Sequence, residues 1–149
     1  MNKFKYILLL VVGISFSQFS NAQEIGARFG DALGNNSSVA IDGVFALGEF
    51  NRVHADVSFG NGVGIEALYD FIYRPIGGEA FNWYAGVGVS LFLGDPFLLG
   101  IPGELGLEYH FNNIPLAIGA DWRPVFVIVE NTDFNAGGFG VNVRFVLNN

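Results

Sequence analysis

The sequence predicts an all-β chain closed into an eight-stranded antiparallel up-and-down transmembrane barrel, and three observations carry that prediction. The first is alternation. In residues 52–59 the even positions are Arg52, His54, Asp56 and Ser58, and the odd ones Val53, Ala55, Val57 and Phe59; a period of two is that of a strand with unlike faces. After Gly60-Asn61-Gly62, a hairpin signal, the odd positions stay apolar through Val63, Ile65, Ala67, Tyr69, Phe71 and Tyr73. Glu66 and Asp70 lie opposite, with Leu68 and Ile72 as exceptions. The second is composition: 21 glycines, 15% aromatic and only 14% charged residues among 149. The third is that the alternating segments number eight, an even count of the length that crosses a bilayer at a tilt.

The chain reads as one domain, residues 23–149, behind a signal peptide, residues 1–22. Lys3 and Lys5 precede an apolar run, and Ser20-Asn21-Ala22 offers small residues for cleavage. Removing the leader removes both lysines, so five arginines face all fourteen acids. A water-facing surface ordinarily carries mixed charge with lysine. The acidic balance argues against nucleic acid as a partner. With no cysteine, disulfides, thiolate metal sites and lipoprotein-type acylation are excluded.

The first strand is 23–31, with Ile25, Ala27 and Phe29 on one face and Gly26, Arg28 and Gly30 on the other. Residues 32–37 read as a loop. The second strand, 39–47, is apolar at Val39, Ile41, Phe45 and Leu47 and polar at Asp42, and 48–51 turn it into the third, 52–59. The fourth, 63–73, ends in a turn over 74–79. The fifth, 81–93, sets Trp83, Ala85, Val87, Val89, Leu91 and Leu93 against Asn82, Tyr84, Gly86, Gly88, Ser90 and Phe92. After a loop over 94–101, the sixth, 103–111, alternates Leu105, Leu107, Tyr109 and Phe111 with Glu104, Gly106, Glu108 and His110. Residues 112–115 form a short turn. The seventh pairs Leu116, Ile118, Ala120 and Trp122 against Ala117, Gly119, Asp121 and Arg123, until Pro124 forces either a strand end or a bulge; 125–129 extend it. After a loop over 130–137, the eighth, 138–147, sets Phe139, Val141, Val143, Phe145 and Leu147 against Gly140, Asn142 and Arg144.

Alternation leaves open whether the apolar face looks inward, as in a secreted lipocalin-like binder, or outward to lipid. Mixed charge on the sparse polar face favours outward, since arginines and acids projecting into a narrow tube can pair. The aromatics near strand ends agree: Phe45, Tyr73, Trp83, Tyr109 and Phe111 at one rim, and Phe29, Phe59 and Phe139 at the other, read as a membrane girdle. The leader, the alternation throughout and the last strand together resemble the small eight-stranded outer-membrane β-barrel proteins of Gram-negative bacteria, similar in size to the transmembrane barrel of outer membrane protein A. In that last strand Gly140, Val143 and Phe145 resemble the terminal signal read by the barrel-assembly machinery, although residues 146–149 follow where a terminal aromatic is usual. Asp121-Trp122-Arg123-Pro124 also resembles a tetrapeptide of short barrels. The resemblance implies an outer-membrane location, lipid and the assembly machinery as partners, and a monomer. It carries no catalytic residue.

The candidate site is the inward charge network of Arg28, Arg52, Asp56, Glu66, Asp70 and Glu104 with Glu108, Asp121, Arg123 and Arg144. In a barrel this narrow side chains fill the interior, so the network reads as a plug, or as a gate in which arginines exchange partners and cations are favoured. A hydrolase reading of His54 and Ser58 fails on reach, since i and i+4 on a strand lie about 13 Å apart. Two histidines several strands apart argue against a metal, and Glu130 with Asp133 reads as solvated charge. Gly86, Gly88 and Gly106 are expected to relieve crowding inside the barrel. Phe97-Leu98-Leu99 is an exposed apolar tract that dips into lipid, folds over the mouth or binds a partner. The expectation is a structural or interactive membrane barrel without cofactor or enzymatic activity. The alternatives are a narrow channel or carrier for small solutes and a lipid-modifying enzyme.

Overall fold

A computed structural model describes residues 3, 5–7, 10, 23–77, 80–129 and 132–147. The proposed cleavage site, Glu79 and Glu130 lie outside them, as do most of the proposed leader's residues. Ten strand segments follow in order: β1 (Gln23–Ala32), β2 (Asn35–Ala46), β3 (Arg52–Phe59), β4 (Val63–Pro75), β5 (Phe81–Leu93), β6 (Leu98–His110), β7 (Leu116–Trp122), β8 (Val125–Val129), β9 (Asp133–Asn135) and β10 (Phe139–Val146). From β1 to β7 neighbours in sequence pair antiparallel, and β8 pairs with β9. The ring shuts where β1 meets β10, Ala27 opposite Val143, and β5 meets β6. Because β7 and β8 both lie along β6, they are two lengths of one barrel strand, and the closed wall has eight.

Alternation sorts the faces as expected. Arg52, His54, Asp56 and Ser58 are buried inside, while Phe71 on the opposite face is 51% exposed and Val141 55%. A wall of eight strands has no edge, so its backbone groups pair round the ring and the two faces are left to side-chain chemistry.

At Pro124 β7 gives way to β8, with no bulge against β6. Trp122 sits opposite Leu105 and Val125 opposite Pro102, in one register. The Gly103 N–H donates to the Pro124 carbonyl at 2.8 Å, and the Arg123 N–H to the Gly138 carbonyl at 2.6 Å. What changes there is the partner on the other side, from β10 to the short β9 that folds back on β8.

Four expectations are corrected. Residues 32–37 are no loop: β1 and β2 run almost to their turn, and Asn35 is buried. Its side-chain amide donates to Ser58 Oγ at 3.2 Å and to the Gly62 carbonyl at 2.9 Å, which ties two hairpins together. Residues 98–101 belong to β6, and Leu98 packs on an inward cluster of Leu33, Phe92, Val125 and Val127 at the mouth remote from the chain's ends. Only Phe97 of the predicted exposed tract is well exposed. Tyr73 leaves the girdle for the interior, because a bulge between Asp70 and Ile72 reverses the alternation and sets Tyr73 opposite the inward Tyr84. The same bulge accounts for Ile72, which now lies opposite outward Ala85. Phe45 is 8% exposed, in a run from 42 to 45 where both faces of β2 are covered. Trp83, Tyr109 and Phe111 keep their rim places, with Phe81, Tyr109 and Phe111 in successive ring contact at 4.9 Å.

Candidate functional site

Every residue of the predicted charge network is buried and faces the barrel axis. The structure links them into one ladder along that axis. Toward the mouth with the apolar cluster, Arg28 holds Asp121 through Nε at 2.9 and 3.1 Å and donates Nη1 to the Asp31 carbonyl at 2.8 Å. Gly140 makes this possible: a Cβ there would lie 2.5 Å from the guanidinium. Within Asp121-Trp122-Arg123-Pro124 the two charged residues point inward, and the Trp122 indole donates to the Ala136 carbonyl at 2.6 Å, holding the last outer connection against the wall.

At mid-height Arg123 binds Asp56, approaches Glu66 at 3.3 Å and meets Glu104 at 3.0 Å. Beside it His54 is wholly buried, with Nε2 on Asp42 and Nδ1 2.7 Å from Glu104. Carboxylates on both ring nitrogens are met by an imidazolium or, around a neutral ring, by a proton on one carboxyl or a cation on that side; the Arg123 Nη2 lies 3.3 Å from both nitrogens. Nearer the chain's ends Arg144 spans Glu24 at 3.4 Å, Asp42 at 2.9 Å and Glu108. Arg52 holds Asp70 and Glu108, each at 2.9 Å, with its guanidinium 4.4 and 4.3 Å from the Tyr73 and Tyr84 ring centroids. Tyr84 lies across Gly106 of the next strand, where a Cβ would come within 2.2 Å of its ring. The sequence expectation for Gly106 is thus met in a specific form, an aromatic filling the place of a missing side chain.

Comparison of the chain with protein-family models, curated proteins and solved structures finds no match. The site therefore stands on its own chemistry. Eight buried inward carboxylates, those of Glu24, Asp42, Asp56 and Glu66 with Asp70, Glu104, Glu108 and Asp121, face only four guanidinium groups. The described interior thus has a surplus of four negative charges before the histidines are considered. Charges removed from water cost several kcal/mol each unless paired, so this surplus is the interior's least ordinary property.

Sequence reasoning sets Asp42 among the inward charges but leaves His54 and Glu24 outside the network. Parity with Arg28 and Arg52 places Glu24 and His54 inside, so the signal was present. The argument from two separated histidines misses that each gathers carboxylates from its own strand and from others, some across the barrel. His54 lies with Asp42 and Asp56 and with Asp70 and Glu104, and His110 with Glu24 and Glu108, every triplet within 4.8 Å. Ser58 accepts from Asn35, and His54 is engaged by acids, so no serine–histidine pair forms. Asp133 accepts its neighbour's N–H, from Phe134 at 2.8 Å.

The two ends differ. Leu33, Phe92, Val125 and Val127 cluster across one mouth, beside a small cavity of about 50 Å³ that reaches Glu66 and Arg123. At the other a cavity of about 280 Å³ opens between Glu24, Arg52, Tyr73 and His110.

Proposed function

We propose that this chain is an integral outer-membrane β-barrel of a Gram-negative bacterium, secreted behind its leader, with a structural or interactive role and a packed polar interior. One observation carries the reading. On the strand walls between the rims, the outward positions of the described residues are apolar and uncharged all the way round, Ile25, Ile41, Tyr69, Val89, Leu107 and Val143 among them. Soluble monomers rarely expose contiguous apolar patches beyond a few hundred Å², whereas a lipid-facing barrel needs this belt at every azimuth. Gly140, Val143 and Phe145, with the latter two outward on the last strand, support engagement by the assembly machinery.

The packed interior favours this reading over a channel, because a ladder of buried ion pairs runs along the axis and an apolar cluster lies across one mouth. Fractionation with gel mobility tests the proposal. The mature chain is expected in the outer-membrane fraction, migrating faster unheated than boiled. Recovery as a detergent-free soluble protein contradicts it.

A further inference from the structure

We infer that the barrel interior holds a divalent transition ion of the zinc or manganese kind, ligated by His54, Asp70 and Glu104. The three side chains come from β3, β4 and β6, and one ligand atom from each lies within 4.8 Å of the others. All three are buried. Each carboxylate is half used in a way that leaves a ligand atom. Arg52 takes Asp70 Oδ2, Arg123 takes Glu104 Oε1, and Asp70 Oδ1 and Glu104 Oε2 meet no N–H or O–H donor among the described residues, the two carboxyl groups lying against each other. The Tyr84 hydroxyl is a further buried polar atom without a partner, and its ring stands edge-on to His54 with centroids 6.2 Å apart. Two adjacent buried carboxylates facing one imidazole are costly in a closed tube unless a shared proton or a cation joins them, and the imidazole beside them favours the cation.

A carboxylate that would orient the imidazole is also present. Asp42 lies on His54 Nε2, so an Nε2–H donated to Asp42 turns the Nδ1 lone pair toward Asp70 and Glu104. This carboxylate–histidine–metal relay fixes tautomer and ring orientation at many protein metal sites. One imidazole with two carboxylates suits borderline-hard divalent ions. A double positive charge also halves the interior's surplus of four. The cavity at the open mouth reaches Arg52, the partner of Asp70, and so marks an entry side. The inference rests on the closed barrel alone and stands whether or not the outer wall faces lipid.

The test uses the full mature chain, folded in detergent and verified by heat-modifiable mobility, stripped with chelator, loaded with Zn²⁺ or Mn²⁺ and desalted. About one ion per folded chain is expected, and none after boiling. Asp70→Asn and Glu104→Gln are each expected to weaken retention at least about tenfold, and Asp42→Asn by about 10–100-fold. His110→Gln, at the separate cluster with Glu24 and Glu108, is expected to leave it unchanged. Should a ligand variant fail to fold, pulsed electron paramagnetic resonance of the Mn²⁺-loaded wild type decides, with one imidazole nitrogen coupled to the ion expected. No ion above the boiled chain, no coupled nitrogen, retention undiminished in Glu104→Gln, or loss in His110→Gln instead, each overturns the inference.

Discussion

Arg144 shows what one side chain does here. It touches Glu24, Asp42 and Glu108 from three strands, so truncation leaves three carboxylates without their shared counter-charge. Arg144→Ala is expected to destabilise the folded barrel by about 3–5 kcal/mol, read from urea unfolding followed by tryptophan fluorescence. Glu66 gives the opposite sign. It meets Arg123 at only 3.3 Å, and Arg123 has closer acids, so Glu66→Gln removes one unit of surplus charge at little loss. Stability unchanged or raised is the expected result in the same assay. Asn35→Ala strips the amide that ties Ser58 to the Gly62 carbonyl and is expected to cost about 1–3 kcal/mol. These residues were unequally legible. Arg144 and Glu66 follow from period two, whereas Asn35 sits among turn-forming residues, and only the approach of a second hairpin makes its burial worthwhile.

At the scale of elements, alternation located all eight wall strands, because a side chain in a closed sheet has only two environments. Its failures are local and physical. One inserted residue on β4 reverses the faces beyond Asp70 and carries Tyr73 inward to lie against Arg52, and Ile72 was the sole sign of it in the sequence. The turns at 32–37 and 94–101 look like loops from their glycine, asparagine and proline content. Yet their apolar members Leu33 and Leu98 meet Val125 and Val127 from beyond Pro124 across the mouth, a contact between segments far apart in sequence. The wall itself makes a testable prediction. Ile41 lies outward on β2 between Ala27 and Val57. In a bilayer Ile41→Arg is expected to cost about 2–4 kcal/mol at mid-depth, while arginine on a water-facing wall would change stability by less than about 0.5 kcal/mol.

For the whole molecule, the consequence of a filled tube is a barrier. Planar-bilayer recording of the purified chain is expected to give no conductance above the bare membrane, in wild type and in Arg144→Ala alike. Discrete openings would revive the gate reading of the inward arginines. The proposed contact of the apolar belt with lipid is open to a more direct measurement, because the chain has no cysteine and single cysteines can be spin-labelled without ambiguity. Labels at Ile41, Val57, Ile65 and Val141, with the protein in bilayers, are expected to be relaxed strongly by oxygen and weakly by a water-soluble nickel chelate. Strong relaxation by the chelate at all four positions would contradict the account.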